Sequence, residues 1–136
     1  YLGYLTHMLT DEKFILEIHP YVLQRIAVTG YDRDNPQTYV KFGRDVDQID
    51  FRLVKEFPGI DKAYQALCQV TPYEIADYIT EQELTASREW IKSYFFETEH
   101  TIEDPIFLPY QEMYQFIPEA VSQICDRLPE YITSSV

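Results

Sequence analysis

Glycine is scarce in this chain of 136 residues: only Gly3, Gly30, Gly43 and Gly59 occur. They lie too far apart to build a P-loop or a dinucleotide-binding turn, so phosphate cradles of those two kinds are excluded. A GxSxG elbow and a CxxC pair are also missing, which removes the serine-hydrolase and thioredoxin-type readings. The two cysteines, Cys68 and Cys125, are too few for a disulfide scaffold. Each sits among apolar residues at helical spacing, so buried reduced thiols and a cytoplasmic setting are expected. No apolar run approaches the roughly 20 residues that cross a bilayer, and no segment resembles a secretion signal. A membrane partner is therefore not expected. The chain opens at Tyr1 and not at a Met, so upstream residues are left open.

Positive charge is the other shortage. Residues 71–136 hold thirteen acids and only three bases (Arg88, Lys92, Arg127), a balance of −10 within a formal net charge of −12. DNA, RNA and anionic lipid need compensating Lys and Arg, so nucleic acid is excluded as a partner and a basic protein is the natural complement. Seven bases do lie between Arg25 and Lys62, but seven acids share that span, which reads as a mixed solvated face.

What the chain has in quantity is aromatic residues, 15% of the total with 12 Tyr and 8 Phe, and these indicate a folded body. Apolar residues recur with helical period in most windows, and strand alternation is nearly absent. The fold class expected is all-α: one compact domain over 1–136, with six to nine short helices in antiparallel pairs. One short extended segment near 38–42 is allowed for, and the loop 31–44 is the place for any internal seam. Proline sets several boundaries. Thr10 reads as an N-cap, Pro20 as a helix start, and Pro118 and Pro129 as interruptions. One helix is expected to begin near Asp45, with Asp45 and Asp47 in its first turn. Thr71-Pro72-Tyr73-Glu74 carries cap, proline and capping-box signals for a helix over 72–79, and Thr80 to Glu83 repeats the pattern for a longer helix to about Phe96.

Two constellations bear on function. Tyrosines beside carboxylates suit a binding surface, because the ring supplies contact area and the acids supply steering. On this basis Glu81, Glu83, Glu89, Tyr94, Tyr110 and Tyr114 are the candidate partner-binding residues, on helices from Pro72 to Phe96 and from Tyr110 to Leu128. Separately, Glu97, Glu99, His100, Glu103 and Asp104 gather four carboxylates and an imidazole within eight residues, a donor set suited to a divalent cation. The acids Asp45, Asp47, Asp50 and Glu56 fail as an EF-hand loop, since Ile49 and Asp50 stand where a ligand and a glycine are required.

The leading expectation is thus an acidic helical protein–protein interaction module, an inhibitor, immunity-like protein or assembly adaptor, that binds a basic partner through its C-terminal half. The alternative is a divalent-metal or small-ligand domain centred on 97–104. A third reading is a structural subunit whose partner is a second copy of the chain. No catalytic residue and no cofactor is assigned, and the balance of motifs leans away from an enzyme.

Overall fold

The computed structural model describes residues 2–32 and 34–133, and it is all-α. Helix α1 (Leu2–Lys13) passes through a π-helical turn (Phe14–Ile18) into α2 (His19–Val28). It is followed by α3 (Pro36–Glu56), α4 (Ile60–Gln69), α5 (Glu81–Ile91) with a second π-helical turn (Lys92–Glu97), and α6 (Tyr110–Thr133). None of these helices is long and apolar enough to cross a membrane. Among the described residues they make five continuous helical stretches, fewer and longer than the six to nine expected, because proline interrupts less than anticipated.

The π turn explains Pro20. The backbone N–H of His19 reaches back five residues to the carbonyl of Phe14, so the missing proline N–H falls where the α-helical pattern is already shifted. Thr10 caps nothing; it lies inside α1 and its hydroxyl donates to the Thr6 carbonyl at 2.8 Å. Pro118 and Pro129 are both inside α6. An interior proline costs about 3 kcal/mol. The helix continues past Pro118 because Phe116, Ala120 and Ile124, on the opposite face, are buried.

Helix α3 starts nine residues before the boundary expected near Asp45. The Asn35 side chain accepts the Gln37 N–H at 2.9 Å, and Pro36 follows as first helical residue. Residues 38–42 are accordingly helical and not extended, and Thr38, almost fully buried, donates its hydroxyl to the Asp32 carbonyl at 2.6 Å.

The helix expected over 72–79 does not form. That segment carries instead a tight turn in which Ile75 and Ile79 exchange backbone hydrogen bonds at 2.9 and 3.0 Å, with Asp77 in the left-handed region at φ 66°. Thr71, Tyr73, Ala76 and Tyr78 are exposed, so an eight-residue helix would have no apolar face to bury, and a cap alone does not offset helix nucleation. The capping box at Thr80 is real: its hydroxyl accepts the Glu83 N–H at 3.2 Å and the Glu83 carboxylate accepts the Thr80 N–H at 2.9 Å.

The chain divides into two compact units, one made of Tyr1–Val46 with Asp104–Val136, the other of Asp47–Glu103. In the first unit, α6 runs antiparallel to the α1–α2 stretch. Arg127 pairs with Glu12 near one end, the Phe14 ring meets Phe116 edge-on at 6.1 Å, and Arg25 forms a two-pronged ion pair with Glu112 near the other. The core there is Leu9, Phe116, Ala120 and Ile124, with Leu5, Phe14, Ile18, Met113 and Leu128 packed against it.

The same unit is closed by Asp45. Its carboxylate, 2% exposed, accepts the backbone N–H of Ile106 at 2.9 Å, of Phe107 at 2.5 Å and of Leu108 at 3.2 Å. Arg25 donates to the Phe107 carbonyl at 3.3 Å. These bonds satisfy a buried loop whose Phe107 and Leu108 are fully enclosed. Asp45 is therefore an internal anchor and not a dipole-complementing residue of a first turn.

Candidate functional site

The second unit concentrates the chemistry. It holds twelve acids against five bases, a net charge of −7. Its interior is an aromatic cluster around Phe51 of α3. The His100 imidazole lies flat on the Phe51 ring, centroids 3.7 Å apart and planes 5° from parallel. Tyr94 and Phe95 approach Phe51 at 5.6 and 6.0 Å, and Trp90 stacks on Tyr94 at 5.2 Å. Three consecutive aromatics, Tyr94, Phe95 and Phe96, occupy the second π turn. The wider turn lets Tyr94 and Phe95 both face Phe51 while Phe96 meets Tyr64 at 4.8 Å.

The loop proposed from sequence as a metal site is tied into this cluster. The His100 Nε2 lies 2.6 Å from the Tyr94 carbonyl, which only accepts, so that nitrogen carries the proton and is committed. Lys55 donates to the His100 carbonyl at 3.3 Å, and the Gln48 side chain accepts the Glu103 N–H at 2.6 Å. Glu97 accepts from the Tyr64 hydroxyl at 3.0 Å, a bond that pushes the Tyr64 phenol up to about 12 and keeps it a donor. Glu99 is exposed, and Asp104 belongs to the first unit. Among the described residues no three His, Cys, Asp or Glu side chains come together as a metal ion requires.

The six candidate partner-binding residues are also divided. Glu81, Glu83, Glu89 and Tyr94 are in the second unit; Tyr110 and Tyr114 are in the first, with ring centroids 5.9 Å apart on α6. Glu83 is held by the capping box, whose Thr80 N–H and then hydroxyl lower its carboxyl below the ordinary range. Glu89 is likewise lowered, by Lys92 first and Arg88 second, with contacts of 2.8 and 3.0 Å. Tyr94 is half-buried, and desolvation, then Asp47, raises its hydroxyl above the usual phenol range. Of the six, Glu81 is the one whose exposure suits steering directly.

Sequence reasoning missed the exposed turn ahead of α5. Tyr78 at its tip is 88% exposed, Tyr73 65% and Ile75 50%, and the carboxylates of Glu74, Asp77 and Glu81 are exposed beside them in the chain. Arg88 of α5 donates to the Val70 carbonyl at 2.8 Å, fixing the start of this segment. The missed signal is a short segment with aromatic residues but no periodic apolar face. The cysteines were misplaced: both are exposed, Cys125 because Ile124 takes the core position and the next residue turns away from it.

Asp50 is the most perturbed carboxyl. Burial, and then repulsion from Asp47 one turn away, raises it from 3.8 to about 6. The folded state thus holds this proton more tightly than the unfolded chain. Its contribution to stability is complete below about pH 4 and is lost as pH rises through about 6. Asp50→Asn should consequently stabilise the protein at pH 7 by about 1–2 kcal/mol, after allowing for solvent screening, and leave it unchanged at pH 4. Urea titrations at the two pH values check this; equal effects at both would refute it.

No protein family model, curated protein or solved structure matches this chain.

Proposed function

We propose that this chain is a small acidic helical interaction module that binds a basic protein partner, and that the second unit makes the contact through Tyr73, Tyr78, Glu74, Asp77 and Glu81. The observation that carries this reading is the turn of residues 75–79, where an aromatic ring 88% exposed stands among carboxylates in a unit of net charge −7. A tyrosine ring left in water on a turn closed by backbone hydrogen bonds offers a large contact area, and with only two side-chain torsions its burial by a partner costs less conformational entropy than that of a long flexible side chain. The surrounding carboxylates attract a cationic surface over distances of about a Debye length and orient it during approach. Inhibitors of nucleic-acid enzymes and assembly adaptors fit this description.

Retention of a basic protein from a lysate of the source organism, at about 50 mM salt and more weakly at about 300 mM, identifies the partner. With that protein in hand, the triple variant Glu74→Lys, Asp77→Lys, Glu81→Lys should slow association at low salt by about tenfold or more, because rim charges act on the on-rate. Tyr78→Ala should mainly hasten dissociation. Unchanged rates in both variants would overturn the reading. Glu83 and Glu89 make poor probes, since reversing them also breaks a helix cap and an ion pair.

A further inference from the structure

Helices α2 and α3 of the first unit leave a cleft of about 150 Å³ between them. Val22, Leu23 and Ile26 come to it from α2, with His19 one turn earlier, and Thr38, Tyr39 and Phe42 come from α3 at the same i, i+1, i+4 spacing. Val22, Thr38 and Ile26 form its floor at 1%, 2% and 7% exposed, Leu23 and Phe42 are half-buried walls, and His19 and Tyr39 stand exposed at the rim. The cleft is already shaped in the free chain. The Thr38 hydroxyl donates to the Asp32 carbonyl at 2.6 Å and its N–H to the Asn35 carbonyl at 2.9 Å, so this short side chain is pinned by bonds that a ligand leaves intact.

Size and charge select the occupant. Pockets for drug-sized molecules run from about 300 Å³ upward, whereas an apolar cavity of about 150 Å³ takes a single benzene ring. Among the described residues, no Asp, Glu, Lys or Arg lines the cleft, in a chain of which 25% is charged. An anion or a cation finds no counter-charge there and would lose hydration without compensation. Water is held poorly as well: aliphatic and phenyl walls offer it few hydrogen bonds, so an apolar ring that displaces it gains. The Thr38 hydroxyl proton is already committed, which leaves the His19 imidazole and the Tyr39 hydroxyl at the rim as the groups able to donate to a ligand. We propose that this cleft is a binding site for a small neutral molecule, one aromatic ring bearing a hydroxyl, whose ring rests on Val22 and Ile26 and whose hydroxyl lies between His19 and Tyr39.

The cleft belongs to the first unit and the basic-partner contact to the second, so the site is independent of that reading. Phenol is the test ligand, followed through the backbone N–H resonances of the isotope-labelled full chain. The expected result is saturable shifts at residues 19–26 and 38–42 with a Kd of about 0.1–1 mM, the range open to a ligand of about seven heavy atoms. Benzoate and benzylammonium, the same ring carrying a charge, should bind at least about tenfold more weakly. Leu23→Trp, which fills the cleft from a half-buried wall, should weaken phenol binding by about tenfold or more, and Tyr39→Ala, at the exposed rim, by about threefold. Tyr39→Ala keeps the test valid if Leu23→Trp unfolds. Absence of saturable shifts up to about 20 mM phenol, shifts centred on other residues, equal binding of the charged rings, or an affinity unaffected by Tyr39→Ala and by the folded Leu23→Trp variant would overturn the proposal.

Discussion

Asp45→Ala should destabilise the first unit by about 3–5 kcal/mol, most of the stability of an ordinary domain. The wild-type carboxylate is buried and accepts three successive backbone N–H groups, those of Ile106, Phe107 and Leu108. Alanine leaves these donors enclosed without an acceptor, and each such loss costs about 1–3 kcal/mol. Asp45→Asn keeps one acceptor oxygen and should cost less. Native-state hydrogen exchange gives the sharper readout: the amides of 106–108 should be strongly protected in the wild type and should exchange far faster in the alanine variant. Weak protection of those three amides in the unaltered protein would remove the anchoring role.

The second large effect is expected at Phe51. It is 6% exposed, carries the flat stack with His100, and meets Tyr94 and Phe95. Phe51→Ala removes the ring on which the cluster is assembled and should cost about 3–5 kcal/mol, whereas Phe51→Leu, which refills most of the volume, should cost roughly 1–1.5 kcal/mol. Trp90, the single tryptophan, stacks on Tyr94 and reports the event locally. Its fluorescence should shift toward that of a solvated indole in Phe51→Ala at temperatures where the wild type is intact. An unfolding midpoint within a degree of wild type would show that the cluster does not hold the second unit together.

These two residues also mark where sequence reading reached its limit. The helical class was legible because periodic apolar residues and caps are local: Thr80 with Glu83, and Phe57-Pro58-Gly59 with Gly59 at φ 90° before α4, behave in the structure as their chemistry predicts. The boundaries were less legible. The continuation of α6 through Pro118 depends on burial of Phe116 and Ala120 against another helix, and the absence of a helix over 72–79 depends on there being nothing for that segment to pack against. Both outcomes are decided by partners distant in sequence.

The same distinction runs through the candidate site. Composition alone established the acidity, because net charge is a sum over residues whatever their positions. Only the tertiary structure could separate carboxylates that already have work within the fold, such as Glu83, Glu89 and Glu97, from those exposed on the turn at 74–81. It alone placed the His100 ring flat on Phe51 with its Nε2 bonded to the Tyr94 carbonyl. Chemical identity is written residue by residue, but availability depends on which other groups the folded chain brings within a few ångströms.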